Sequence, residues 1–382
     1  MIRCIKVKLY PNKDQENLMW KSAGIMRYTY NWAIRFSNTY YRLYKKYINS
    51  GNIRKHFTSL RNKKKYIWLK EVSSEISQQA IKDYDDALKR FFKGISKRPK
   101  FKSRKHSEIS FYHLSNKFKV KNKMIYLEKI GWIKMSDENR LPIGNFKKDK
   151  IKVYNPRIKF NGRYWYLSLG LNYDVKPLEL NKNLSIGIDL GIKELATVSN
   201  FEKPFKNINK SQKVRKLKKR LKRYQKQVSK KYQINKQGNK FVKTNNILKL
   251  ELKIRLIHEK IKNIRLNHNH QVTNLIVKTK PSCIVMEDLN VHGMMKNKHL
   301  SKAIQEQGFY QFITFIKYKC ENYKIDFVQA DRFYPSSKMC SCCGNIKKDL
   351  KLSDRIYHCD NCGMTLDRDY NASINLANYK LA

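Results

Sequence analysis

The run Leu184-Ser185-Ile186-Gly187-Ile188-Asp189-Leu190-Gly191-Ile192-Lys193-Glu194-Leu195-Ala196-Thr197 decides how the chain is read. Leu184 to Ile188 has the pattern of a buried strand that delivers one carboxylate, Asp189, and then turns at Gly191 into a second strand. An aspartate at a buried strand end is costly unless it is paired, hydrogen-bonded or metal-bound. Two more acids are placed alike: Glu287 ends the apolar run Cys283-Ile284-Val285-Met286, and Asp369 opens Asp369-Tyr370-Asn371-Ala372. Three carboxylates from distant segments make a hard oxygen donor set suited to Mg²⁺. A pair of such ions clamps the attacking and leaving oxygens of a phosphodiester. For Asp189 alone the competing reading is a turn cap, since aspartate is common in turns.

Outward from this run, Glu194 to Ser199 reads as the partner strand and Pro281 to Leu289 as a strand ending at Glu287. Neighbouring strand residues face opposite ways, so Asp288 is left out of the acid set. Phe309, Phe312, Ile313, Ile316 and Cys320 mark an amphipathic helix, and Ile325 to Ala330 a last strand. This order of strands and helices is α/β and suits a ribonuclease H type of sheet. Between the first strands and Pro281 lies a highly charged stretch, Ser211 to His270. There Leu217, Leu221 and Tyr224 supply a narrow apolar seam, as in a helical hairpin, with the bend between Asn235 and Asn246 at Gly238. Its cations, Lys216, Lys219, Arg220 and Arg223 among them, read as a basic wall for a nucleic acid, against the plainer reading of a solvated face.

Cys340-x₂-Cys343 and Cys359-x₂-Cys362, fifteen residues apart, have the spacing of two knuckles that close on tetrahedral Zn²⁺ with four thiolates. Cys342 is the spare, because using it in place of Cys343 breaks that spacing. Four protein ligands leave no open position, so this metal is structural. Directly behind the second knuckle, Asp369 stands at a helix start, where negative charge is favoured, with Asp367 as the rival ligand.

The chain has 382 residues and a net charge of +53, from 83 Lys and Arg against 30 Asp and Glu, an excess that a phosphate backbone neutralises. No long apolar run or leader pattern is present, which points to a cytoplasmic, nucleoid-associated protein without a membrane partner. Its length implies more than one domain. Ile2 to Leu9 alternates apolar and basic residues as a strand does; Pro11 stops it, and Asn12 is placed to cap a helix. Helical spacing then runs to Phe92, with Gln78, Gln79 and Lys82 towards an exposed side that could read duplex DNA. Lys97, Arg98, Lys100, Lys102 and Arg104 form an extended basic loop for phosphate. Phe118 to Tyr173 reads as short strands of a small barrel, which the first strand rejoins, followed by a linker from Asp174 to Asn183.

Gly187-Ile188-Asp189-Leu190-Gly191, Val285-Met286-Glu287-Asp288-Leu289, the paired Cys knuckles and Asp367-Arg368-Asp369-x-Asn371-Ala372 resemble, in order, the split RuvC motifs and zinc ribbon of the TnpB family. These are transposon-encoded RNA-guided DNA nucleases related to compact type V CRISPR effectors. Leu9-Tyr10-Pro11-Asn12-Lys13-x-Gln15, Tyr30-Asn31-Trp32-Ala33 and Pro99-Lys100-Phe101-Lys102-Ser103 are similar to that family as well. The resemblance implies a multidomain α+β protein: a wedge β-barrel (1–10 and 117–180) holding a helical recognition region (11–116), a RuvC-like nuclease domain (184–335 and 367–382), and a zinc ribbon insertion (336–366). It implies a protein that carries a guide RNA from the transposon end and cuts matching double-stranded DNA beside a short flanking motif, with Asp189, Glu287 and Asp369 holding Mg²⁺; the sequence leaves the oligomeric state open, with a monomer favoured. An RNA-independent transposase and a catalytically silent RNA-guided repressor are the alternatives.

Overall fold

The computed structural model describes residues 2–104, 107–121, 123–136, 141, 151–172, 179–351 and 354–379. Residues 174–178 of the expected linker lie outside them. The chain divides into two units, Met1–Asp174 and Val175–Ala382.

In the first unit, β1 (Ile2–Tyr10) leads into α1 (Lys13–Tyr44), α2 (Ser50–Asn62) and α3 (Ser74–Phe92). Asn12 does cap α1: its side chain accepts the Gln15 N–H at 2.8 Å while the Gln15 side chain accepts the Asn12 N–H at 3.1 Å. That reciprocal pair satisfies two donors that helix geometry leaves open. Six strands follow: β2 (Ile109–Tyr112), β3 (Lys119–Lys121), β4 (Met124–Leu127), β5 (Gly131–Met135), β6 (Lys152–Phe160) and β7 (Trp165–Asn172). The sheet order is β2-β6-β7-β1-β5-β4-β3, with β1 antiparallel to both neighbours. The first strand therefore rejoins the later ones and the helices are an insertion, as expected from reading Phe118 to Tyr173 as strands that the first one joins.

Two details differ from the sequence reading. The sheet takes in β2, ahead of residue 117, because its four residues pair with β6 from Ile109↔Phe160 to Tyr112↔Arg157. Among the described residues β2 and β3 are its outer strands, so the expected barrel is observed as a sheet with two ends. Helices and sheet share one core, in which Met19, Ile25 and Ile81 meet Val7, Leu9, Trp165 and Leu167.

The second unit begins with β8 (Asn181–Leu190), which starts inside the expected linker, and β9 (Ala196–Val198). Next come α4 (Gln212–Ile234), a short hairpin of β10 (Lys236–Gln237) and β11 (Lys240–Phe241), and α5 (Asn245–Lys278). Val214, Leu217, Leu221 and Tyr224 pack against Ile257, Ile261 and Ile264, which is the narrow seam expected of a helical hairpin. Then follow β12 (Pro281–Glu287), α6 (Val291–Met294), α7 (Ser301–Gln307), α8 (Phe309–Tyr323), β13 (Asp326–Ala330), β14 (Ile356–His358), β15 (Thr365–Asp367) and α9 (Arg368–Ala377).

The main sheet runs β13-β12-β8-β9; β8, β12 and β13 are parallel and β9 is antiparallel to β8. Strand side chains alternate between faces, and here each face has its own cover. Ile186, Ile188, Ile284 and Met286 pack with Val272 and Ile276 of α5 and with Phe312 and Ile316 of α8. Val285 and Ala330 pack instead with Leu376 of α9. Gly187 lies under α9: a Cβ on it would stand 2.0 Å from the Ser373 carbonyl oxygen and 2.4 Å from the Ala377 nitrogen. Glycine is what lets helix and strand touch backbone to backbone.

Candidate active site

The same alternation places the acids. Asp189 shares the parity of Gly187, and Glu287 that of Val285, so both belong to the face that α9 covers. Register brings them level, since Met286 pairs with Ile188 one residue earlier on each strand. Helix α9 then adds Asp369 in its first turn. Asp189, Glu287 and Asp369 are all half-buried. The Asp189 carboxyl is pushed well above the usual carboxylate range, first by burial and then by the charges of Glu287 and Asp369, with Arg368 opposing. Arg368 reaches Asp369 at 3.4 Å.

Asp367 and Asp288, the two rivals, have other occupations. The Asp367 side chain is the N-cap of α9, accepting the N–H groups of Asp369 at 3.0 Å and Tyr370 at 3.1 Å. Asp288 forms an ion pair with Arg332 at 2.5 Å. The three acids form an oxygen-only donor set, and the anionic form of Asp189 is disfavoured without a cation. Both features fit a hard divalent ion. Their oxygens are not gathered within 4.8 Å of one another, a limit that among the described residues only the cysteine cluster meets. A pair of ions about 4 Å apart spreads its ligands wider than one ion does.

The cysteine cluster consists of Cys340, Cys343, Cys359 and Cys362; Cys342 stands outside it and is exposed. The sulfurs of Cys340 and Cys362 are 3.6 Å apart, as are those of Cys343 and Cys359. A tetrahedron with 2.3 Å zinc–sulfur bonds has edges of about 3.8 Å, so the quartet fits zinc binding. Each knuckle turns on a glycine in the left-handed region, Gly344 (φ 75°) and Gly363 (φ 68°).

Buried amides join the two centres. Asn371 on α9 donates to the Met339 carbonyl at 2.7 Å and accepts the Ser341 N–H at 3.0 Å, so the acid-bearing helix is fastened to the first knuckle. Asn375 donates to the carbonyls of Ser336 (2.7 Å) and Met339 (2.6 Å), and the Ser336 hydroxyl donates to the Glu287 carboxylate. On the other side, the Gln307 amide, buried, faces the carbonyls of Gly191 (3.0 Å), Ile192 (3.2 Å) and Glu194 (3.2 Å) and holds the turn after Asp189. Sequence reasoning missed Ser336 and Gln307, which no periodicity or spacing marks.

The basic candidates divide. Gln78 and Lys82 line a cleft of about 390 Å³ with Arg54 and Tyr112. Gln79 lines it too, but its amide donates to Asp83 at 2.8 Å, and Asp83 holds Arg157 through two bonds of 2.7 and 2.8 Å. Gln79 is therefore engaged in tying α3 to β6. Lys97, Arg98, Lys100 and Arg104 are exposed, whereas Lys102 turns inward, its ammonium 3.7 Å from the centre of the Tyr30 ring. Burial lowers the Lys102 pKa, and Asn31 clamps its backbone through bonds of 2.7 and 2.8 Å. In the α4–α5 hairpin Lys216, Lys219, Arg220 and Arg223 are all exposed.

Three family profiles match the chain: "Helix-turn-helix domain" over residues 1–46, "Probable transposase" over 169–298 and "Cas12f1-like, TNB domain" over 309–376. A Streptomyces pristinaespiralis protein named "Putative RNA-guided DNA endonuclease" is 29% identical over 98% of this chain and 88% of its own. The Escherichia coli K12 protein InsQ, of the same name, is 29% identical over 98% and 91%. Among solved structures, a Cas12f1–sgRNA–target DNA complex aligns over 99% of both chains with a TM-score of 0.57 and 14% identity, a likeness of fold. The acidic and cysteine motifs stand in the order of the TnpB family and these profiles cover their segments, so the chain is similar to that family along most of its length.

Proposed function

We propose that this protein is an RNA-guided, Mg²⁺-dependent DNA endonuclease. The observation that carries the reading is that Asp189 and Glu287 end level on one face of the parallel strands and the helix covering that face carries Asp369 in its first turn, close enough that Glu287 and Asp369 both raise the Asp189 carboxyl against the pull of Arg368. In this reading residues 184–335 and 367–382 are the RuvC-like domain, a ribonuclease H type of sheet. Residues 336–366 are its zinc ribbon, with Zn²⁺ on the four cysteines. Residues 1–10 and 117–180 are the wedge, extended by β2, and 11–116 the recognition region. The exposed cations of the hairpin and basic loop hold guide RNA and target DNA, and pairing with the guide supplies sequence while the protein reads shape and a short flanking motif.

Asp189, Glu287 and Asp369 would hold Mg²⁺, which when bound activates water and offsets charge on the leaving oxygen. Ser336 occupies one oxygen of Glu287 and so fixes how that carboxylate is presented. Asp367 keeps the first turn of α9 formed beneath Asp369. Gln307 prevents the Gly191–Glu194 turn from shifting Asp189. Ser336→Ala is expected to lower cleavage roughly 10- to 100-fold, as loss of a partner to a metal ligand does, and to raise the Mg²⁺ requirement. Ser336→Thr, which keeps the hydroxyl, is expected to retain most activity in the same Mg²⁺ titration.

The deciding experiment is to express the full chain with its native flanking DNA and sequence the RNA that copurifies. Duplex matching the 3′ segment of that RNA is then offered in Mg²⁺. Cleavage of the matched duplex alone is the expected result. RNA binding without cleavage would favour the silent repressor, and strand transfer without RNA the transposase.

A further inference from the structure

Among the exposed large apolar side chains of the described residues, Phe333 is the most exposed, at 87%. A single exposed aromatic ordinarily needs no explanation. This one differs in how firmly its neighbours are fixed. The Asp331 carboxylate accepts the Phe333 N–H at 2.8 Å, and the Asp331 carbonyl accepts the Tyr334 N–H at 3.1 Å. Arg332 is held by Asp288 at 2.5 Å. The Tyr334 ring meets Tyr379 edge-on at 4.8 Å, and its hydroxyl donates to the Asn375 carbonyl at 3.2 Å. Ser336 is bonded to Glu287. Every neighbour of Phe333 in this loop is anchored, while its own ring is given to solvent.

Two of those anchors are consecutive residues at the end of β12, Glu287 and Asp288, one on each side of Phe333 in the loop. By chain length alone the Phe333 Cα lies within about 11 Å of that of Ser336, the residue bonded to the Glu287 carboxylate. An exposed aromatic face on a loop anchored on both sides is an apolar surface held in place. It suits a flat apolar surface, and in an unpaired strand the bases present one. Stacking is indifferent to base identity, which is what a site needs when pairing elsewhere sets the sequence.

We propose that Phe333 is a stacking platform for a nucleobase of the unpaired strand entering the acid site. The proposal rests on the nuclease reading, and its test separates the two. The full chain with its copurified RNA is mixed, without divalent metal, with a single-stranded oligonucleotide carrying 2-aminopurine, whose emission falls on stacking. Wild type and Phe333→Trp are expected to quench it, and Phe333→Ala and Phe333→Leu to fail. Cleavage of matched duplex in Mg²⁺ is expected to fall on the order of tenfold in the Ala and Leu variants and to persist in Trp. All four proteins should melt together, because the side chain is exposed. Wild-type quenching and cutting by the Ala variant, or a Leu variant as good as Phe, would overturn the platform and leave the nuclease reading standing. Should wild type cut nothing, the nuclease reading fails, and the quenching comparison still decides whether Phe333 stacks.

Discussion

Asp189→Ala should abolish cleavage of a matched target in Mg²⁺ while leaving the copurifying RNA in place. Asp189 is the acid that both of the others perturb, so its loss removes the donor shared by the whole set. The expected fall is on the order of 10²- to 10³-fold or more, the scale of losing a principal electrostatic contributor at an active site. Residual cutting at a tenth of the wild-type rate would place the chemistry elsewhere. Asp189→Asn carries a second, opposite expectation. In the metal-free protein the folded-state pKa of Asp189 is raised, so the unfolded chain gives up this proton first as pH climbs. Stability is then lost as pH rises from the unfolded value, about 3.9, through the folded one. Asparagine is neutral throughout. At pH 7 in a chelator the inactive Asn variant should therefore melt above wild type, and added Mg²⁺ should narrow the gap by stabilising wild type alone.

Gly187→Ala is the second large effect. Its new methyl carbon would sit 2.0 Å from one backbone atom of α9 and 2.4 Å from another, and backbone cannot rotate aside as a side chain does. Helix and strand must separate, which is expected to cost at least about 3 kcal/mol, at the upper end of overpacking. Because α9 carries Asp369, activity should fall even in whatever fraction remains folded. Denaturant titration measures the first effect and cleavage per folded molecule the second. An alanine variant within about 0.5 kcal/mol of wild type, the range of ordinary surface changes, would contradict the close approach.

Much of this site could be read from residues because its chemistry is written locally. A carboxylate closing an apolar run marks a strand end, and paired knuckles fix a metal by spacing alone. Asn12 could be identified as a cap because capping depends on a few consecutive residues. What escaped reading depends on partners far along the chain. Gln79 looked free for DNA because its helix face is assigned by packing, yet Asp83 beside it is held by Arg157 from another strand. Lys102 looked like any cation of its loop until Tyr30 and Asn31 drew it inward. β2 was missed since four residues carry too little alternation. Ser336 and Gln307 are ordinary polar residues in sequence and acquire their roles only when Glu287 and the Gly191 turn arrive beside them.

That α9 follows the other two acid-bearing elements has a consequence for synthesis. A ribosome adding about 5 to 20 residues per second delivers Asp189 on the order of ten seconds or more before Asp369. Until Glu287 is added the nascent sheet has one acid, from then until Asp369 it has two, and Gly187 stays uncovered until α9 follows. The three acids are thus brought together only after α9 has been made.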